Sequence, residues 1–239
     1  MDTPTKGATL LRREIYRLLH QEIISCKLAP GQDLREQDLA ERFEISRSPV
    51  RDALLQLEFE GLIQVHPRRG YRVAPITRPH AEELYDMRAL LEREIVRMII
   101  ERCPEERLQA FQAQAALPTG TSVDFVAYNR QFHLSLARLT GHDQLSATSA
   151  RIISQFDRLI TLTLPRLNLL KMHELESEHR SIVDALSHRD MDKALILTAR
   201  HIDGSRDRVL SALDDIQQSG AALAGNRGDA DQRLMLTGS

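Results

Sequence analysis

Residues 31–73 read GQDLREQDLAERFEISRSPVRDALLQLEFEGLIQVHPRRGYRV, and this stretch decides the fold. Leu39, Ala40 and Phe43 fall on one side of a short helix over about 36–43. Glu44-Ile45-Ser46 then makes a tight turn, and a longer helix follows to about Glu60. Ser46 or Ser48 can cap its start, and Pro49 sits in the first turn, where its missing N–H is not needed. Gly61 closes it. Val50, Leu54, Leu55 and Leu57 supply its core face. Leu62–Val65 and Tyr71–Val73 read as two strands around His66-Pro67-Arg68-Arg69-Gly70, a hairpin with a basic tip.

A helix, a turn, a second helix and a basic wing form a unit that reads double-stranded DNA. The N-terminal side chains of the second helix would meet base edges in the major groove: Ser46, Arg47, Ser48 and Arg51. Arg47 and Arg51 are four apart and share one face, and an arginine can clamp guanine or a phosphate with two hydrogen bonds. Arg68 and Arg69 at the hairpin tip can reach phosphates or the minor groove. Bulk charge does not carry this reading, because the chain has a net charge of −2. Residues 1–75 hold 12 basic and 11 acidic side chains, and the remainder 20 and 23, so the placement of the arginines carries it. Aromatic residues are 4% and tryptophan is absent, which excludes a stacking platform for single strands.

Working outward, Leu11, Ile15, Leu18, Leu19 and Ile23 give helical spacing over about 10–25, ended by Leu28-Ala29-Pro30-Gly31. The expected division is a DNA-binding domain over 1–75, a proline-stiffened linker over 76–79, an all-α domain over 80–215 and a disordered Gly/Ala-rich tail over 216–239. The all-α part reads as six helices near 80–101, 104–116, 121–139, 143–164, 168–187 and 190–215, punctuated at Pro104, Pro118–Gly120, Gly141, Pro165 and His188–Asp190. The fold class expected is mainly α: a winged helix-turn-helix followed by an all-α six-helix bundle. No apolar run approaches the roughly 18 residues of a membrane span, and the first residues lack a signal peptide's apolar block, so a cytoplasmic protein with no membrane partner is expected. Cys26 and Cys103 lie in separate segments with no CxxC, which fits a reducing compartment.

The helical half holds a second constellation. Asn129 and His133 are four apart on one helix, His179 lies 46 residues further on, and His201 a further 22. Three imidazoles from three helices can meet inside a bundle and bind a divalent ion with positions left open. His142, His173 and His188 lie near helix ends and read as surface or capping residues. Arg88 can pair with a carboxylate ligand or with Glu92, four residues on.

The winged region resembles the GntR family of bacterial regulators. The matching elements are Pro30-Gly31, Leu34 with Glu36, Leu39-Ala40, Ser46 through Leu54, Leu57-Glu58, Glu60-Gly61-Leu62 and Gly70. The resemblance implies that Arg47 and Arg51 contact operator bases or phosphates, and that Gln37, His66, Arg68, Arg69 and Gly70 add contacts. Glu44 stands in the turn where the family often has glycine. Residues 80–215 resemble the FCD ligand-binding domain of the FadR subfamily, and six helices resemble its VanR-like branch. The pieces that match are Met87-Arg88 with Leu91-Glu92, Asn129 with Phe132-His133, Leu136-Ala137, Glu178-His179 with Ile182, Ala185-Leu186 and His201-Ile202.

That resemblance implies a metal held by Asn129, His133, His179 and His201, with asparagine where aspartate is commonest. Three imidazoles favour zinc or nickel over magnesium. It also implies a small carboxylate effector held in part by Arg88, with Arg151 and Arg158, seven apart on one helix face, as weaker candidates. A homodimer on a palindromic operator follows, with repression the commoner outcome in the family. A metal-free bundle serving dimerisation or a non-carboxylate ligand is the alternative. A zinc hydrolase is the rival from another class, and it needs a general base beside the metal. The chain has no HExxH, and Glu178 points about 100° around the helix from His179, so no enzyme is expected.

Overall fold

The computed structural model describes residues 6–115, 122–166 and 169–236, with side chains over 10–113, 125–166 and 174–218. The turn expected at Pro118–Gly120 and the side chain of His173 lie outside the described residues. The chain folds as α1 (Lys6–Ile24), β1 (Asp33–Leu34), α2 (Glu36–Arg42), α3 (Arg47–Phe59), β2 (Ile63–His66) and β3 (Gly70–Val73). Six long helices follow: α4 (Arg78–Arg102), α5 (Glu105–Ala115), α6 (Ser122–Leu139), α7 (Asp143–Thr163), α8 (Leu169–Ser187) and α9 (Met191–Leu236).

In the N-terminal unit α1 packs across α3, and Ile15, Leu19, Ile23, Val50, Ala53, Leu54 and Leu57 close the core. Leu55, expected inside, is 49% exposed, because α3 turns Ala53 inward in its place. Ser46 occupies the N-cap of α3 in an extended conformation, with no side-chain capping bond. The turn between α2 and α3 is a left-handed helix ending. Ile45 N–H donates to Ala40 C=O at 3.0 Å and Glu44 N–H to Glu41 C=O at 3.2 Å, with Glu44 at φ +55°. Glu44 thus does the work of a C-terminal glycine at some steric cost. The same two-bond ending recurs after α3, around Gly61 at φ +74°, where Leu62 N–H reaches Leu57 C=O at 2.9 Å.

The wing is a three-stranded antiparallel sheet in the order β1-β3-β2, in which Tyr71 faces both Leu34 and Val65. The two-residue β1 was not expected from sequence, and it explains Gly70. A Cβ on Gly70, at φ +92°, would lie 2.7 Å from the backbone oxygen of Leu34. Only glycine lets β3 start this close to β1.

The helices α4 to α9 surround a second set of cores. Ile95, Ile99, Leu136, Ile182 and Leu186 form one end. Tyr85, Phe156, Leu159, Ile202 and Leu213 form the other. Arg189, at φ +55° after α8, donates to the carbonyls of Ile99, Ile100 and Cys103 and so satisfies the open C-terminus of α4. The helix α9 continues to Leu236, past the boundary at 215 where a disordered tail was expected. The residues there include many good helix formers, and the missing apolar face argues only against packing, not against helix. No helix among the described residues is long and apolar enough to cross a membrane.

Candidate DNA-reading face and trihistidine site

The N-terminal turn of α3 brings Ser46, Arg47, Ser48 and Arg51 to one exposed surface. Arg51 is held by Glu36 of α2, with Nη2 at 2.8 Å and Nε at 2.9 Å from its oxygens. The hydrogen bonds from Arg51, aided by its charge, outweigh the small burial of Glu36 and hold that carboxyl below its ordinary range. Arg47 donates to Gln37 Oε1 at 3.0 Å, so the two helices present their polar side chains as one interlocked patch. On the wing, Arg68 and Arg69 are exposed, while His66 and Gly70 are half-buried at the hairpin ends. Arg68 adopts φ +68° at the tip. All nine residues expected to contact DNA therefore lie on α2, the start of α3 or the wing.

In the bundle, α6, α8 and α9 bring His133, His179 and His201 together. One ring nitrogen from each lies within 4.8 Å of the others, and all three side chains are buried. Their outward-facing nitrogens are tied. His133 Nδ1 lies 3.0 Å from Glu92, His201 Nδ1 lies 2.7 Å from Glu178, and His179 Nδ1 lies 3.2 Å from the Tyr128 hydroxyl. Phe132 stacks on His179 with ring centroids 3.8 Å apart and fixes its plane. Nitrogens anchored in this way aim the three Nε2 atoms inward, as outer partners do around metal-bound imidazoles. His179 Nε2 and His201 Nε2 are 3.3 Å apart. That spacing matches a tetrahedron edge for metal–nitrogen bonds of about 2.0–2.1 Å. Asn129, one helical turn before His133, is buried on the same helix face.

Burial disfavours the charged form of all three imidazoles. Burial pushes His133 down to about 4, with the nearby Arg88 charge adding to it. Burial and the other two rings push His179 well down, and burial lowers His201 against the opposing effect of its hydrogen bond to the Glu178 carboxylate. Burial alone would raise Glu92, but the Arg88 charge beside it prevails and holds it well below the carboxylate range. Three neutral imidazoles are the donor set that a borderline ion such as zinc or nickel prefers.

Arg88 joins this cluster while paired with Glu92, the intrahelical partner expected for it. Its Nε donates to Glu92 at 2.6 Å, and its Nη2 lies 2.7 Å from His133 Nε2 and 3.2 Å from His201 Nε2. Arg151 and Arg158 are not in the cluster. Arg151 lies over the ring of Phe59 in the N-terminal unit, 5.3 Å from its centroid. Arg158 is buried and donates to the carbonyl of Ala74 before the linker. Their seven-residue spacing does give one face of α7, but that face meets the DNA-binding unit. His142 caps α7, accepting from Leu145 N–H at 3.2 Å, and His188 is exposed at the end of α8.

Sequence reasoning missed the outer anchors Glu178 and Tyr128. Glu178 points away from His179, as its position dictates, and that direction leads to His201 on α9. The signal was present in the helix period but needed the packing of α8 on α9 to be read.

Residues 11–73 match the family described as "Bacterial regulatory proteins, gntR family", and residues 83–204 match the "FCD domain". The HTH-type transcriptional repressor RspR of Escherichia coli (strain K12) is 28% identical over 214 residues, spanning 87% of this chain and 93% of that protein. The HTH-type transcriptional repressor GlaR of the same organism is 27% identical over 229 residues, spanning 91% and 100%. Among solved structures, E. coli McbR/YncC has the same fold, with a TM-score of 0.68 at 18% identity over 84% of this chain and 97% of that one. A GntR family member from Pseudomonas syringae pv. tomato str. DC3000 is 28% identical with a TM-score of 0.52, over 92% of each chain. The protein thus belongs to the GntR family of bacterial regulatory proteins and is a DNA-binding transcriptional regulator in which a winged helix-turn-helix precedes an FCD domain.

Proposed function

We propose that this protein is a dimeric repressor whose hold on a palindromic operator is set by a small carboxylate bound at a zinc or nickel site in the bundle. The observation that carries the reading is the inward convergence of three neutral Nε2 atoms whose Nδ1 partners are Glu92, Tyr128 and Glu178. His133, His179 and His201 would hold the metal, with the Asn129 amide oxygen as a fourth, uncharged ligand. The bound ion would supply a Lewis-acid position for a carboxylate oxygen. The space beside Arg88 and Ser149 is only about 10 Å³, smaller than any organic acid. A polar crevice of about 430 Å³ between α8 and α9, lined by Ser177, Glu178, Ser181, Arg200 and His201, is the route by which an effector would reach the cluster.

Dimerisation is read from an apolar face on α4 and α9. Met87, Leu90 and Ile196 are exposed there, beside a shallow pocket lined by Arg93 and Asp203. Opposite charges on one patch let a two-fold axis pair each with its counterpart on a second copy. Two winged units related by such an axis would read the two half-sites of a palindrome.

Elemental analysis of tag-free protein purified without chelator tests the metal. About one zinc or nickel per chain is expected in the wild type and none in His133→Ala, which should still bind operator DNA. A wild type that takes up no metal even after reconstitution would sink the metal reading.

A further inference from the structure

We infer that Arg88 is the built-in cation of the trihistidine site, and that a metal ion enters only by displacing its guanidinium from the His133 and His201 Nε2 atoms. The inference rests on the metal reading above and adds to it a competitor carried by the chain itself. Each Nε2 has a single lone pair in the plane of its ring. In His133 and His201 the other nitrogen is engaged outward, by Glu92 and Glu178, so Nε2 is the free acceptor. Arg88 Nη2 donates to both, at 2.7 and 3.2 Å. A lone pair that accepts a hydrogen bond cannot also ligate an ion, so guanidinium and metal exclude each other at these two atoms.

The displaced side chain is held at the site by its neighbours. Arg88 is 4% exposed, is held to Glu92 at 2.6 Å, and lies over the Phe156 ring at 5.0 Å. On metal entry it stays in the wall of the site, with the nitrogen that had faced the histidines now lacking acceptors. Such a nitrogen, buried beside a new positive ion, calls for an anion. A carboxylate bridging the ion and Arg88 supplies it. Metal and carboxylate are therefore expected to bind cooperatively, each favouring the state in which Arg88 has left the imidazoles. The neutral Asn129 fits this balance, since it adds no negative charge to draw the ion in against Arg88.

The test is a zinc titration against a chromophoric chelator, with and without sodium acetate, on the full chain as wild type, Arg88→Leu and Arg88→Lys. Arg88→Leu is expected to bind zinc about tenfold tighter than the wild type, because the ion no longer displaces two charge-assisted hydrogen bonds. Arg88→Lys keeps the charge but loses the fork that spans Glu92 and both imidazoles, and should fall between them. Acetate should strengthen zinc binding to the wild type severalfold and leave Arg88→Leu unchanged. Equal or weaker zinc binding in both variants, with acetate acting alike on all three proteins, overturns the proposal while leaving the metal reading intact. No zinc uptake by any of the three overturns both. Because Arg88→Leu leaves Glu92 buried without its arginine, the wild type supplies a second readout. Nitrogen-detected magnetic resonance should show slowly exchanging Arg88 guanidinium protons that are lost on addition of one equivalent of zinc. Protons unchanged while zinc is bound would overturn the proposal by themselves.

Discussion

Arg51 shows how a single side chain can be prepared for DNA without being committed to a stabilising role. Its guanidinium is exposed, and Glu36 holds it from the neighbouring helix through Nε and Nη2. An exposed pair of this kind contributes little to folding, because water and salt screen it. It does remove rotamer freedom that DNA binding would otherwise have to remove. Arg51→Ala should therefore weaken specific operator binding about ten- to a hundredfold, in line with one lost bidentate base contact. Its melting temperature should stay close to that of the wild type. Electrophoretic or anisotropy titration at fixed salt, beside a thermal melt, checks both halves. Wild-type affinity for the operator in this variant would remove Arg51 from the reading face. The wing arginines are a different case. The side chains of Arg68 and Arg69 make no hydrogen bond or ion pair among the described residues, and their placement at the tip fits phosphate contacts that add affinity without sequence preference.

At the scale of elements, most helices were legible because apolar spacing and breakers agree. The bundle helices α4 to α8 lie within about two residues of their expected ends, and Gly61 and Pro49 mark the bounds of α3. What stayed hidden depends on contacts between distant segments. The two-residue β1 has no local signal, since its pairing with β3 is the only thing that defines it. Leu55 could not be told from Leu54 by type, and only the crossing of α1 over α3 decides which is inside. For the candidate site, the three histidines and Arg88 could be picked out, whereas the roles of Arg151 and Arg158 required knowing which way α7 faces. That helix also buries Asp157, whose carboxyl is pushed up to about 6 by burial, against the opposing charge and hydrogen bond of Arg130. Its Oδ1 has no hydrogen-bond partner among the described residues. A folded value above the ordinary 3.8 means that ionised Asp157 lowers stability at pH above 6, and that this cost fades as pH falls toward 4. Asp157→Asn should accordingly melt higher than the wild type at pH 8, with the gap closing by pH 4. A gap that is constant with pH, or reversed at pH 8, would show that the Arg130 pair outweighs burial.

Across the whole molecule, α7 touches both halves. One of its faces carries Phe156 beneath Arg88, and the adjacent residues clamp the DNA-binding unit. Arg158 donates to Ala74 C=O, Cys26 Sγ–H reaches the Arg158 carbonyl at 3.8 Å, and Gln155 bonds Glu60 C=O at 3.5 Å. A shift of Arg88 in the pocket is thus one side chain away from the residues that set the pose of the wing and α3. Such a shift would matter to operator affinity only if two winged units had to match two half-sites at once, which would make the proposed dimer part of the proposed switch. The exposed face of Met87, Leu90 and Ile196 on α4 and α9 is the surface proposed for it, and Leu90 and Ile196 are more than half exposed in the single chain. A buried unpaired charge at the centre of a two-fold contact appears twice, once from each copy, and is costly each time. Leu90→Asp combined with Ile196→Asp should therefore leave the monomer folded, since neither side chain enters a core. It should also shift sedimentation from dimer to monomer and lower affinity for a two-half-site operator far more than for an isolated half-site. If the double variant still sediments as a dimer, the two copies meet elsewhere. The coupling between pocket and operator would then have to run through another face of the bundle.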